Sequence, residues 1–467
     1  MDEPQCAMLD PKRLAARQDE IRTVYLSDQR PWVIGYSGGK DSTTALQLIW
    51  YALTKLPREQ LSKPLYIISS DTLVETPKIV DHIDTSLKRM NEAAARLGLP
   101  FSAHKVQPQV HNTFWVNLLG RGLPAPSSQF RWCTERMKIE PANRFILDKV
   151  AHHGEVVVVL GVRTSESATR AQVMSLHRMK GSVLSRHSTL PNAFVYTPIE
   201  DFNVDDVWTY MLQVPSPWGN NNRDLVTMYR NAQAGECPLV VDTTTPSCGN
   251  SRFGCWVCTV VNKDKSMEAM VENGEEWLEP MLEYRDQLAS TQNPDAKLQI
   301  RELKGRSGQV RLKADGTPSP GPYMPDTKKI LFAKLLQVQK QVRLNGPNPQ
   351  EQLISFEEME QIRKVWRAED QDWEDSVPKI YREVMGEDLP WAIDEHPGFT
   401  NEDKTLLDSI AGKYQVPSKL VAKLIDIERG YHGMSRRAAI HQKISAAFEE
   451  DWRTKEEILS KQGDQPS

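Results

Sequence analysis

Across 467 residues no run of apolar side chains approaches the roughly eighteen that would span a bilayer. The opening stretch MDEPQCAMLDPKR lacks the hydrophobic centre of a secretory leader, so a soluble, cytosolic protein is the expectation. Excess positive charge is also missing. The 58 Lys and Arg stand against 62 Asp and Glu, a net charge of −4, which excludes a surface that coats nucleic acid as a whole and leaves room only for a local contact. Cysteine is scarce, six residues in all. In a reducing compartment these are poor candidates for disulfides, which leaves metal or sulfur chemistry. No internal repeat is present, and the length accommodates two or three domains.

What is present begins with VIGYSGGKDSTTALQLIW, residues 33–50. A loop of small residues between an apolar strand pattern and a helix pattern lets backbone N–H groups approach an anion, and the helix dipole favours negative charge there. Neither the Walker pattern G-x-x-x-x-G-K-S/T nor the dinucleotide pattern G-x-G-x-x-G fits this loop. Apolar runs followed by helical patterns recur: PLYIISSDT before KIVDHIDTSLKRMNEAAARLG, and EVVVVLGVR after PANRFILDKVAHH. That alternation predicts a doubly wound, mostly parallel α/β sheet with ligands at the carboxyl ends of its strands. The loop, Asp71 and the GVR segment around Arg163 all fall at such ends. Domains are expected over 1–214 (α/β), 215–265 (cysteine-rich) and 266–467 (mainly helical, with a basic Gly/Pro-rich loop over 304–325). The apolar spacing over 266–303 reads as helix, as does 326–345.

Four cysteines, Cys237, Cys248, Cys255 and Cys258, fall in one short stretch with the spacing C-x10-C-x6-C-x2-C. Four thiolates so placed can close around tetrahedral zinc or an iron–sulfur cluster, and the ligands alone do not choose between them. Arg163 and Arg170 in GVRTSESATRA offer forked, permanently charged donors suited to phosphate or sulfate. Near the C-terminus, Lys419, Lys423, Arg429, Arg436, Arg437 and Lys443 outnumber Asp426 and Glu428. Such a local basic patch is sufficient for backbone contact with DNA, or it is a solvated or protein-docking helix face.

The SGGKDS loop resembles that of the ATP pyrophosphatases, which split ATP into AMP and pyrophosphate. The resemblance implies that the amides of Ser37, Gly38 and Gly39, with Ser42, hold pyrophosphate, that Lys40 offsets its charge and that Asp41 lies near Mg2+. The elements GVRTSESATR, TPIEDFNVDDVWTY, DTLVETP at Asp71, Thr72 and Glu75, and CTERMKIEP resemble those of the phosphoadenosine phosphosulfate (PAPS) reductases, with Phe202 in place of the usual aromatic. Taken with CGNSRFGCWVCTVV, the chain resembles the DndC family of DNA phosphorothioation. That resemblance implies ATP, Mg2+ and a [4Fe–4S] cluster as cofactors, with Cys237, Cys248, Cys255 and Cys258 as candidate ligands. The implied partners are DNA, a cysteine desulfurase of the DndA or IscS type, and DndD and DndE. The implied catalytic residues are Lys40, Asp41, Arg163, Arg170 and Cys133, the last either a cluster ligand in place of Cys237 or a sulfur carrier activated by Arg131, Arg136 or Lys138. A reductase of adenylated sulfate, a tRNA thiolase and a non-catalytic ATP-binding scaffold are the alternatives. Against the reductase, no cysteine follows Cys258.

Overall fold

In a computed structural model the described residues are 10–166, 172, 175–179, 181–232, 254–391, 400–431 and 439–460. Of the expected site residues, Arg170, Cys237 and Cys248 lie outside them, as do Arg436 and Arg437. The chain divides into two compact units, residues up to 109 with 128–282, and residues 110–127 with 283 onward.

The first unit is built on a six-stranded sheet: β1 (Trp32–Gly35), β2 (Leu65–Ser70), β3 (Phe101–Val106), β4 (Val156–Val159), β5 (Ser185–Arg186) and β6 (Ala193–Tyr196), in the order β3-β2-β1-β4-β6-β5. All pairings are parallel except the short edge strand β5 on β6. This is the expected α/β architecture. Strands β1 and β4 are apolar at every position and buried at every position, as a sheet covered on both faces requires. The pleat divides them. Trp32, Ile34, Val157 and Val159 join one core with helices α1 (Pro11–Leu26), α2 (Lys40–Leu53) and α3 (Pro77–Leu97). Val33, Val156 and Val158 face the other way, onto Ala142 and Ile146 of the helix Glu140–His153.

Helix α2 is buried at every residue but Tyr51, so the segment that follows the glycine loop is an interior element. Because β2 lies on one side of β1 and β4 on the other, the loops leaving β1 and β4 diverge. The strand order reverses there, the switch point at which α/β sheets bind ligands.

One expectation is corrected. The stretch 266–303 is three helices, Lys265–Glu272, Glu279–Ser290 and Pro294–Ile300. Gly274, at φ +99°, breaks the first from the second, and Pro294 can start a helix but not continue one. The stretch 215–265, turn-rich by sequence, contains the helix Asn222–Ala232. The second unit is helical, with long helices at Pro325–Asn345 and Phe356–Glu369. No helix among the described residues is long and apolar enough to cross a membrane.

Candidate nucleotide and thiol site

Strand β1 runs through Tyr36, whose N–H donates to Ile68 O at 2.8 Å, into the loop Ser37–Gly38–Gly39. Gly38 has φ +75°, and an added Cβ there would lie 2.5 Å from Ile83 Cδ1 of α3. Only glycine gives this backbone both its left-handed turn and its closeness to α3. The hydroxyl of Ser42 donates to Gly39 O at 3.1 Å and accepts from Ser37 N–H at 3.2 Å, and the Ser37 and Ser42 hydroxyls are 2.9 Å apart. The two serines therefore hold the loop in its curled form.

Three charged side chains meet beside it. Lys40, Asp41 and Arg163 are 2, 3 and 1 % exposed, burial that a lone charge would not tolerate. Asp41 Oδ1 accepts from Arg163 Nε at 2.6 Å, and Oδ2 lies 3.0 Å from Lys40 Nζ. Arg163 also donates to Ser165 Oγ at 3.1 Å and lies 3.9 Å from Glu166 Oε1. The contact needs the strand ends to approach closely. A Cβ on Gly161, just past β4, would lie 2.7 Å from Asp41 O. The structure thus brings Lys40, Asp41 and Arg163 to one point. Both oxygens of Asp41 are engaged by cations, so this donor set as it stands does not fit a Mg2+ site.

Asp71, at the end of β2, is held by its neighbours. Its Oδ1 accepts from Leu73 N–H at 2.8 Å and its Oδ2 from Gln107 Nε2 at 2.9 Å, with Lys105 Nζ at 3.4 Å.

The same strand end receives the thiols. Glu75 forms an antiparallel bridge with Cys255, and Trp256 N–H donates to Val74 O at 2.9 Å. The turn Cys255–Cys258 is closed by Cys258 N–H to Cys255 O at 3.1 Å. Thr72 Oγ1 lies 3.3 Å from Cys255 Sγ and donates to Glu75 Oε1 at 2.6 Å, while Thr72 N–H donates to Glu75 Oε2 at 2.9 Å. Burial pushes the Glu75 carboxyl up to about 7, with the charge of Asp71 adding to it, while Lys138 and the Thr72 hydrogen bonds oppose. Burial likewise pushes the Cys255 thiol up to about 12, against the pull of Lys138 and Thr72. At neutral pH Cys255 is therefore a protonated thiol that a metal would have to deprotonate on binding. Two sulfurs in one tight turn fit a thiophilic metal as half of a four-thiolate set. Among the described residues no three Cys, His, Asp or Glu side chains form a complete metal-holding group.

Cys133 is partly buried in the short helical turn Trp132–Thr134. The next stretch, Glu135–Ile139, carries Lys138, whose charge acts on Glu75 and Cys255. Thr72 and Glu75, read in the sequence only as part of the DTLVETP element, are the residues the structure adds to the thiol site. Their only local signal was the acid and hydroxyl of DTLVETP beside Asp71. Conversely, TPIEDFNVDDVWTY proves architectural. Asn203 and Asp206 cap the helix Val204–Gln213 reciprocally, while Phe202, Val207 and Tyr210 pack in the core.

Comparison with known proteins adds sequence likeness to this geometry. Residues 31–261 match the family of the phosphoadenosine phosphosulfate reductase domain. Residues 402–449 match a small protein found in certain Dnd DNA modification systems. An uncharacterized protein of Methanocaldococcus jannaschii is 23% identical over 269 residues, 57% of this chain and 44% of that protein, so the match spans less than half of the relative. Among solved structures, Candida glabrata FMN adenylyltransferase with FAD and inorganic pyrophosphate aligns at 13% identity and TM-score 0.27, over 44% of this chain and 61% of that one. The U34-tRNA thiolase NcsA of Methanococcus maripaludis with its [4Fe–4S] cluster aligns at 12% identity and TM-score 0.28, over 47% and 74%. By sequence, then, the α/β unit is similar to the PAPS reductase domain, and a helical stretch of the second unit is similar to a small protein of Dnd systems.

Proposed function

We propose that this chain cleaves ATP to AMP and pyrophosphate in order to activate a DNA phosphate by adenylation, and then transfers sulfur to it. The observation that carries the reading is the pairing of two chemistries on neighbouring strand ends. The curled loop with buried Lys40, Asp41 and Arg163 follows β1, and the Cys255–Cys258 turn is bridged to the end of β2. The likeness of one segment to the PAPS reductase domain and of another to a Dnd-system protein supports it.

On this reading the loop amides take the β- and γ-phosphates at the N-terminus of α2. Lys40 and Arg163, now neutralised by Asp41, turn their donors toward the phosphates as charge builds on the departing pyrophosphate. A non-bridging oxygen of the DNA phosphate attacks the α-phosphorus, the bond to the β-phosphate breaks, and pyrophosphate leaves. Sulfur, brought as a persulfide from a cysteine desulfurase, attacks the DNA phosphorus and expels AMP. A thiol then attacks the donor cysteine's sulfur and forms a disulfide with it, and the sulfur–sulfur bond to the DNA breaks to leave the phosphorothioate. Cys255 and Cys258 would hold half of a [4Fe–4S] cluster, whose contribution is redox-active sulfide. The remaining ligands come from Cys248 with Cys237 or Cys133. Arg170 would add a further phosphate donor.

The test is pyrophosphate release from ATP by the purified chain, with and without duplex DNA, alongside mass spectrometry for phosphorothioate linkages in the DNA. Release together with linkage formation in the presence of a desulfurase is expected. No release under either condition would overturn the nucleotide assignment. A colourless, zinc-containing protein after anaerobic purification would overturn the cluster.

A further inference from the structure

The Gly/Pro-rich basic stretch of the second unit has a definite shape. Residues 301–323 fold as an antiparallel meander in which Arg301 bridges Tyr323, Lys304 bridges Val310 and Leu312 bridges Pro318. Its first turn is docked. Asp451 N–H donates to Gly308 O at 3.0 Å and Gln309 Nε2 to Glu449 O at 2.5 Å. Its second turn projects. Lys313 N–H donates to Thr317 O at 2.8 Å, and every residue from Arg311 to Thr317 is exposed.

The cations of this region sort into two groups. Arg306 is held by both oxygens of Glu369 at 2.9 Å, Lys423 pairs with Glu450, and Arg453 pairs with Asp451. Among the described residues, Lys304, Arg311, Lys313 and Lys419 have no ion-pair partner. Lys304 and Lys423 both stand over the Trp452 ring, at 5.7 and 5.9 Å from its centre. This brings the meander up to the helix Ser418–Tyr431, which carries Lys419 and Lys423. Two basic segments more than a hundred residues apart thus form one surface. Burial and the charge of Lys419 draw the Lys304 ammonium below its usual range, with Asp451, Glu302 and Glu450 as the opposing acids.

We propose that the projecting turn Arg311–Thr317, with Lys304 and Lys419 at its base, is a docking surface for the phosphate backbone of duplex DNA. The proposal rests on the reading of the chain as one that acts on DNA. A narrow antiparallel ribbon is an element a duplex groove admits, and unpaired lysine and arginine are the donors that phosphates recruit. An acidic protein partner is disfavoured because the turn offers Leu312 as its one large exposed apolar side chain, without the buried anchors that hold protein interfaces together. The helix carrying Lys419 also lies within the segment similar to the Dnd-system small protein.

The test is fluorescence anisotropy of a labelled duplex with the full chain, at about 50 and about 200 mM salt. Four phosphate contacts predict that affinity falls about 100-fold between the two. Arg311→Glu with Lys313→Glu should weaken binding at least tenfold and flatten the logarithmic salt slope by about 2. Lys304→Ala with Lys419→Ala should flatten it similarly. A charge-matched control, Lys88→Glu with Lys379→Glu, should change affinity by less than about twofold. Wild-type affinity in the turn variant, or an equal loss in the control, would overturn the docking surface. Pyrophosphate release without DNA, measured on the same proteins, keeps the two readings apart. Intact release with unaltered DNA affinity in the turn variant removes only the docking surface. Absent release in wild type removes only the nucleotide assignment.

Discussion

Both units bury cations against aspartate, and they do so to different ends. In the first, Lys40 and Arg163 flank Asp41 beside a curled loop, at the point where the sheet's connections diverge. In the second, Lys328 is 3 % exposed and binds Asp370 and the carbonyl of Gly120, the latter at 3.1 Å, while Arg363 holds both oxygens of Asp375 at 2.7 and 2.6 Å. Each of these pairs ties helices or turns together. The lesson is that buried charge does not by itself mark a site. What distinguishes the first array is its setting: backbone donors in a glycine loop, a helix N-terminus, and the point where the strand order reverses.

That contrast can be broken at either end. Asp41→Asn should reduce pyrophosphate release by about 100-fold or more, on the scale of losing an electrostatic group at a reacting centre. It should also lower the melting temperature, because two buried cations lose their counter-charge. Unchanged release would make the array structural, like those of the second unit. Lys328→Met should cost about 3–5 kcal/mol in denaturant unfolding by leaving Asp370 buried and unpaired, while release per folded molecule stays at the wild-type level. A parallel loss of release would show that the second array is functional after all. Gly161→Ala, which drives a methyl group toward Asp41 O, should cost about 1–3 kcal/mol and raise the apparent Km for ATP, read by steady-state kinetics.

The smallest effect is one of pH. Burial pushes Glu358 up to about 7, against hydrogen bonds from Ser355 and Thr113. A carboxyl whose folded value is raised is favoured in its protonated form. Its contribution is complete below about 4.5 and is lost as pH rises through 7, at most about 3 kcal/mol. Glu358→Gln keeps the helix cap and removes the proton. The variant's melting temperature should therefore fall less than wild type's between pH 5 and 7.

Legibility followed distance along the chain. The loop Ser37–Ser42 could be read because strand, glycines and helix are contiguous, and the structure curls it as expected. Arg163 could be placed at a strand end, but its hydrogen bond to Asp41 spans 122 residues and exists because β4 lies beside β1. Thr72 and Glu75 meet Cys255 across 183 and 180 residues, and no pattern near DTLVETP announces a thiol. The long helix expected over 266–303 failed where spacing outweighed its breakers, Gly274 and Pro294. The 304–325 stretch was read as a basic loop, and the paired edges of its meander depend on bridges that composition does not encode.

By itself the sequence determined the elements whose causes are local: buried valine strands, a glycine-bearing turn, capped helices, a cluster of thiols, and a charge balance that confines any DNA contact to a patch. Tertiary structure decided which of these became neighbours. Strand order placed Asp41 between Lys40 and Arg163, a bridge at Glu75 brought Cys255 to the end of β2, and Trp452 gathered lysines from two distant segments. The physical reason is that periodicity and propensity act over a few residues, whereas the cost of burying a charge or a thiol is met by whatever side chain the fold carries to it.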